Sequence, residues 1–525
     1  MGNCLLIAAL ICLTTTEPAS VRGTVDTLVI CPAPFHSALK TWVDYRTSQG
    51  HKILVQTPAS TAGGLRNQIR SVAAKNKIKS VVLVGDAVDQ NVDPDVLVPT
   101  DYIPAKVNVR FGSEPEIATD NTYADLDDDG MVDVAIGRIP VDSPQQLQQF
   151  TQRVIEHESN SGSGPWQRRV NFVAGVGGLG SMLDKMIEQS VKKIVTDLVP
   201  PEFDTTMTYG SWRSPYCPDP RRFSETAIER FNEGCLFWVY IGHGERNRLD
   251  YIKMPDRRFR ILDNENANQV GSKSGSPIAI FLSCYTAAID DDTDGLAENL
   301  VKQKKGPIGV ISSSRVSMPY AMSLFSLEML NGFFEGKCET LGQLVLQAKQ
   351  KMVEKPDAKS EYHQLIGSLG RSFSPAPELL RDERGEHVHL MHLLGDPLFK
   401  LPRPATLELE SPDLAKPGDT ITVTGMAKQQ GSLLIDLSYR RNRFRNRPPR
   451  RTKYVASAES LNEFQAVYER TQNLVCTTIQ QNVKPGPFEI QLNIPDDCSG
   501  ACHVRGMLVA EGAVALGANQ IEIKR

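Results

Sequence analysis

The sequence predicts an α/β protein built on a mostly parallel sheet flanked by helices, with an all-β domain after it. Three observations carry this. Strand and helix patterns alternate from Thr27 onward, in the βαβ rhythm of a parallel sheet. Two runs, residues 236–244 (LFWVYIGHG) and 278–284 (IAIFLSC), are continuously apolar and rich in β-branched or aromatic residues, as strands buried on both faces are. After residues 401–405 (LPRPA) the pattern changes to short alternating strands separated by turns.

The length of 525 residues implies two to four domains with ample core. A net charge of −4 gives no electrostatic reason to expect a nucleic-acid partner. Residues 4–13 (CLLIAALICL), followed by TTTEPAS, read as a secretory signal peptide over residues 1–20, cleaved near Ala19 or Ser20, although no Lys or Arg precedes the run. The run is too short for a comfortable membrane span, and no later segment is long and apolar enough. The mature chain is therefore expected outside the cytoplasm, secreted, periplasmic or at the cell surface.

Residues 25–160 are expected to form a first α/β subdomain. Strands fall at 27–33 (TLVICPA), 52–59 (KILVQTPA) and 80–87 (SVVLVGDA), with helices at 37–48 and 62–75 between them. Next comes TDNTYADLDDDGMVDVAIGRIPV, residues 119–141. Asp125, Asp127, Asp129 and Asp133 take the first, third, fifth and ninth places of a calcium loop, with Gly130 at the sixth. The twelfth place is Ile136, so this is not a complete EF-hand. A solvated acidic turn is the alternative. A helix over 142–157 and the loop SNSGSGPW (159–166) close the subdomain.

A second α/β subdomain is expected over 165–402. It starts with a strand at 170–178 and a helix at 181–198, and contains both long apolar runs. Those runs stop at His243 and Cys284. Ligands of open α/β sheets bind beyond the carboxyl ends of the strands, so the two side chains can face one crevice. An imidazole beside a thiol takes its proton to give a nucleophilic thiolate, then returns it to the leaving group. The backbone N–H groups of Gly244 and Cys284 are the candidate oxyanion donors. Taken singly, each residue reads equally as structure: a small core hydrophobe or a hydrogen-bonded histidine.

Further along, Asp290, Asp291, Asp292 and Asp294 follow the cysteine, as a solvated loop, a lure for basic peptides or a second cation site. A strand at 306–314 places Arg315 at the same rim, as a candidate substrate-binding residue. Helices follow at 322–334 and 340–353. His387, His389 and His392 are expected in a strand, whose alternation splits them between faces.

The GHG turn with His243, the strand ending in Cys284 and the later LLGDP at 393–397 together resemble the gingipain family of cysteine peptidases, of the caspase-like group, over about residues 25–402. The resemblance implies a caspase-like catalytic subdomain, with His243 as general base, Cys284 as nucleophile and residues 395–397 closing the domain. It also implies structural calcium at the acidic loop, a protein or peptide substrate and no organic cofactor. Family members often carry an acidic residue where this chain has about Val176, so a dyad is expected in place of a triad. Asp184 matches an Asp at the base of a pocket for basic side chains in Arg-specific members. The rival readings are a non-catalytic adhesion or assembly module and a transpeptidase using the same dyad.

Residues 403–525 read as an immunoglobulin-like β-sandwich, with the basic run 440–453 as an exposed hairpin or loop. Eight cysteines remain after the leader, and Cys498 is expected to bridge either Cys502 or Cys476.

Overall fold

The computed structural model describes residues 25–88, 92–160, 163–176, 189, 192–354 and 361–524. Ten strands join into one sheet: β1 (Thr27–Ile30), β2 (Ile53–Gln56), β3 (Ser80–Val84), β4 (Ala135–Ile139), β5 (Arg169–Ala174), β6 (Asp204–Tyr209), β7 (Phe237–Ile241), β8 (Ile278–Leu282), β9 (Gly309–Ser313) and β10 (Met391–Gly395). Their order is β2-β1-β3-β4-β10-β9-β8-β7-β5-β6. Every neighbouring pair is parallel except β9 with β10, where Gly309 faces Gly395 and Ser313 faces Met391. The sheet is thus two parallel blocks of opposite sense, joined at one antiparallel seam. The carboxyl ends of β7, β8 and β9 open on one edge, those of β1, β3 and β4 on the other.

The last strand of the second segment, β10, completes the first block by pairing with β4 (Leu394 with Arg138). This couples the two sequence segments, and Asp396 just beyond β10 fastens the join. Its buried carboxylate accepts from Trp42 Nε1 (2.6 Å), Arg46 Nη2 (2.6 Å) and the Leu398 N–H (2.8 Å). Arg46 turns its other terminal nitrogen to Glu158 (2.8 Å), so helix α1 (His36–Ser48), helix α2 (Pro144–Asn160) and the strand end meet at one guanidinium. Arg138 in β4 is as fully engaged, on both oxygens of Asp120 and on the Gly85 and Val98 carbonyls.

Three sequence expectations are corrected. His387 and His389 lie in helix α3 (Leu380–Leu390), and only His392 is in a strand, β10. The helix arises because LRDERGEHVHL carries no β-branched run, only Val388, and places acids in its first turn, where the helix dipole favours them. The edge strand β6 carries little apolar patterning (DTTMTY), and the sequence does not predict it. Nor does it predict a helix at Ala458–Gln472 inside the all-β region, capped by the Ser457 hydroxyl accepting from the Ser460 N–H.

The C-terminal region holds two sheets. In one, Gly431–Tyr439, Gly500–Ala510 and Ala513–Ile523 form an antiparallel array with Val475–Val483 at its edge; in the other, Thr420–Ala427 pairs with Glu408–Glu410 and Gly486–Asn493. Alternating residues such as Val423, Ile435, Leu437, Ile490, Leu492 and Val504 fill a core between them, the layering of a β-sandwich. The basic run is a mostly exposed loop, as expected, tethered at two arginines. Arg441 binds the Pro200 and Phe203 carbonyls (2.5 Å each), Arg451 binds the Ser214 carbonyl (2.6 Å), and Leu461 and Phe464 of the following helix join the α/β core. No helix among the described residues is long and apolar enough to cross a membrane.

Candidate active site

His243 and Cys284 end up side by side because β7 and β8 are parallel neighbours in matched register. Ile241 faces Leu282, the Gly242 N–H donates to the Leu282 carbonyl (3.2 Å), and the two reactive residues each stand two positions further on. The GHG turn needs glycine on both sides for reasons of space. A Cβ on Gly242 would lie 2.6 Å from Tyr240 Oη, and one on Gly244 would lie 2.7 Å from the Cys284 carbonyl oxygen. The backbone beside the histidine therefore rests directly on the backbone of the cysteine. The same contact brings the Gly244 and Cys284 peptide units together. Tyr240, buried in β7, donates its hydroxyl to the His243 carbonyl (2.7 Å), which also accepts from the Asp250 N–H (3.1 Å). These bonds fix the turn; the imidazole itself is exposed.

Cys284 is half-buried. Its sulfur receives the Ser317 N–H at 3.4 Å, just ahead of the helix Pro319–Phe334. That approach is held from below by α3: His387 Nε2 accepts the Met318 N–H (2.9 Å), and Glu383 accepts the Ala321 N–H (3.0 Å). Burial drives the Glu383 carboxyl up to about 7, partly offset by that Ala321 bond. Residue Tyr285 follows the cysteine with φ of 61°, a left-handed conformation that costs a non-glycine residue on the order of 1 kcal/mol or more and here turns the chain sharply after the strand. Its hydroxyl donates to Glu114 (2.8 Å) and its ring lies under Arg246. Arg246, Tyr285 and nearby Arg315 hold the Glu114 carboxyl down to about 2 against the opposing effect of its burial.

Three of the four acids behind Cys284 are paired internally, and Asp292 is exposed. Asp290 takes both terminal nitrogens of Arg315 (2.8 and 2.5 Å), Asp291 meets Arg246 (3.3 Å), and Asp294 binds Lys302. Arg315 does sit at the expected rim, but at 3% exposure it braces the loop instead of facing a ligand. The Lys302 ammonium also reaches Asp142 (2.7 Å) and Asp86 (3.2 Å), so these three carboxylates already share an internal cation. Asp184 lies outside the described residues, and Val176 is at the end of the segment after β5.

At the other acidic motif, Asp125, Asp127 and Asp133 each bring a carboxylate oxygen to within 4.8 Å of the others. Asp129 is not part of that set; its carboxylate accepts the Met131 N–H (2.8 Å). Asp125 accepts from Asp128 N–H (2.7 Å) and Gly130 N–H (3.2 Å), which curls the loop around the oxygens. Burial, then the charges of Asp127, Asp125 and Asp129, push the Asp133 carboxyl up despite the Leu126 N–H it accepts. Hard oxygen donors crowded in this way fit a calcium ion. The loop lies on the same sheet edge as Cys284, ahead of β4, but outside the dyad.

The sequence pattern does not single out Tyr240, Ser317, Glu114 or Tyr285. Tyr240 is within the YIGHG run and carries a buried hydroxyl that requires a partner, which is a usable signal. Ser317 acts through its backbone, and no side-chain pattern reports that.

A thiol and an imidazole just beyond adjacent parallel strand ends, beside a glycine-framed turn, are the residue types that a cysteine-nucleophile site of an α/β enzyme requires. The sequence profile of Peptidase family C25 matches residues 20–402, and the chain belongs to this family; it is a cysteine-type peptidase of gingipain-like fold. Among solved structures, the Arg-specific cysteine proteinase gingipain R (RgpB) is matched at a TM-score of 0.54 with 16% identity, covering 97% of this chain and 100% of that one. The complex of Porphyromonas gingivalis RgpB pro- and mature domains is matched at 0.54 and 16%, covering 95% and 100%. No curated protein sequence matches the chain.

Proposed function

We propose that the protein is an exported endopeptidase that works through a Cys284–His243 dyad and an acyl-enzyme. The observation that carries this reading is the register of β7 on β8, which sets both residues at one sheet edge with Gly244 against the Cys284 carbonyl. His243 takes the Cys284 proton, and the thiolate attacks the scissile carbonyl carbon. The N–H groups of Gly244 and Cys284 receive the developing oxyanion. His243 then protonates the departing amine as the C–N bond breaks and the thioester forms. Water, losing its proton to His243, cleaves the thioester and regenerates the thiol. The Ser317 N–H that donates to the sulfur supports the negative charge once His243 has taken the proton.

Calcium at Asp125, Asp127 and Asp133 would steady the acidic loop and enters no chemical step. A preference for basic residues at the cleavage site is part of the proposal, drawn from the Arg-specific proteinase matched in fold and from Asp184. The leader-like residues 1–20 support export, and the layered C-terminal domain supports an immunoglobulin-like relationship. The test is hydrolysis of a mixed fluorogenic peptide library with calcium and a reductant. Parent protein is expected to cleave after Arg or Lys, and Cys284→Ala to lose at least about a thousandfold in kcat. Equal cleavage by parent and Cys284→Ala rejects the nucleophile; cleavage with no basic preference rejects the Asp184 assignment alone.

A further inference from the structure

Three sulfurs converge in the C-terminal domain, far in sequence from the dyad. Cys476 is at the start of the edge strand Val475–Val483, Cys498 lies in the turn before Gly500, and Cys502 lies in the strand Gly500–Ala510. Cys498 Sγ is 3.1 Å from Cys476 Sγ and 3.8 Å from Cys502 Sγ. Cys498 and Cys502 are buried, and Cys476 is half-exposed. Cys498 is the sulfur in hydrogen-bond contact with both of the others.

Two clamps hold the Cys476 and Cys498 segments in place. Arg445 binds the Val475 carbonyl (2.9 Å) with one nitrogen and the Asp497 carboxylate (3.1 Å) with another, joining the neighbours of Cys476 and Cys498. Tyr439 Oη accepts the Ser499 N–H (3.1 Å) and donates to the Asp497 carbonyl (3.4 Å), pinning the Cys498 turn from the opposite side. Neither clamp bonds to Cys502. The Cys498 and Cys476 sulfurs are already in contact, on residues whose neighbours are held by separate hydrogen bonds, which favours a bridge between them.

We propose that Cys498 and Cys476 form a disulfide in the oxidised protein, with Cys502 left as a buried third thiol. A small disulfide such as oxidised glutathione is the oxidant. The half-exposed Cys476 thiolate displaces one glutathione thiolate and becomes a mixed disulfide. The Cys498 thiolate then attacks the Cys476 sulfur and expels the second glutathione thiolate. Two cysteine S–H bonds are lost, one S–S bond is gained, and the external disulfide is reduced to two thiols. Because Cys498 is shared, a bridge to Cys476 excludes one to Cys502. The bond needs an oxidising surrounding, the kind export would provide, and the test supplies that poise itself.

Purified protein is equilibrated in a glutathione redox buffer, denatured, alkylated and mapped by mass spectrometry without reduction. The expected result is one Cys476–Cys498 linked peptide pair with Cys502 alkylated. The same pair is expected in Cys502→Ala. Oxidation is expected to raise the thermal midpoint of parent and Cys502→Ala by several degrees and to leave Cys476→Ala unmoved. Alkylation of all three cysteines, or a Cys498–Cys502 link in the parent, overturns the proposal.

Discussion

Lys349 is a buried charge in the α/β body with a high desolvation cost. Its ammonium is fully buried, bonds Asn121 Oδ1, and is pushed down to about 7 by desolvation, with Asp120 opposing the shift. The folded pKa is depressed below the unfolded 10.5, so the fold binds fewer protons than the unfolded chain between about 7 and 10.5, and this residue's contribution to stability rises with pH across that window. Replacing it by methionine should stabilise the protein by a few kcal/mol near and below pH 7, with the gain shrinking toward pH 10. Urea unfolding of parent and Lys349→Met at several pH values checks this; a gain that is flat with pH would show that the lysine is folded in its charged form. At the site itself, Tyr285→Phe removes one hydroxyl bond to Glu114 and should lower kcat/KM severalfold without abolishing activity, measured on the peptide cleaved best.

Among elements, the join between β10 and the first block depends on a carboxylate that the sequence presents only as the middle of a GDP tripeptide. Asp396→Asn leaves the Arg46 guanidinium short of a charge partner in a dry site, and should cost about 3–5 kcal/mol of stability. Chemical denaturation reads this directly, and an unchanged midpoint would mean that Glu158 alone satisfies Arg46. The acidic loop before β4 makes a separate prediction. Calcium should raise the thermal midpoint by binding the folded state only, a chelator should reverse the rise, and Asp127→Asn should weaken the response while leaving apo stability nearly unchanged, since Asp127 is exposed. A midpoint indifferent to calcium would return the loop to a solvated turn.

On the scale of the whole molecule, the β-sandwich is attached through apolar packing, with Met507, Val514 and Leu516 in the α/β core, and through charge. Asp436 of the sandwich accepts from Arg168 (2.8 Å) of the α/β body and from Arg505 (2.7 Å) of its own sheet, and Arg505 reaches back to Asp204 at 2.9 Å. Asp436→Ala should separate the unfolding of the two regions, turning one calorimetric transition into two, because the arginines would lose their shared acceptor.

Several features are legible in the residues alone. The runs ending in His243 and Cys284 are unbroken and apolar because both faces of a parallel sheet are covered, and such patterning survives into β7 and β8 with little error in their bounds. The acidic spacing locates the loop whose oxygens converge, and the turn-rich alternation after residue 405 locates the sandwich. Other features leave no local trace. Strand β6 carries no sequence signal because an edge strand needs no apolar face, and His387 and His389 read as strand because a buried helix under the sheet edge is not amphipathic enough to declare itself. Sequence alone determined which strands are buried and that His243 and Cys284 stand just beyond two of them, since both follow from side-chain type and period. The tertiary structure decided that the sheet reverses sense between β9 and β10, that Arg315 pairs with Asp290 and Lys302 with Asp294, and that a Ser317 N–H meets the sulfur. Those depend on contacts between distant segments, and neither composition nor spacing encodes which distant segment will arrive.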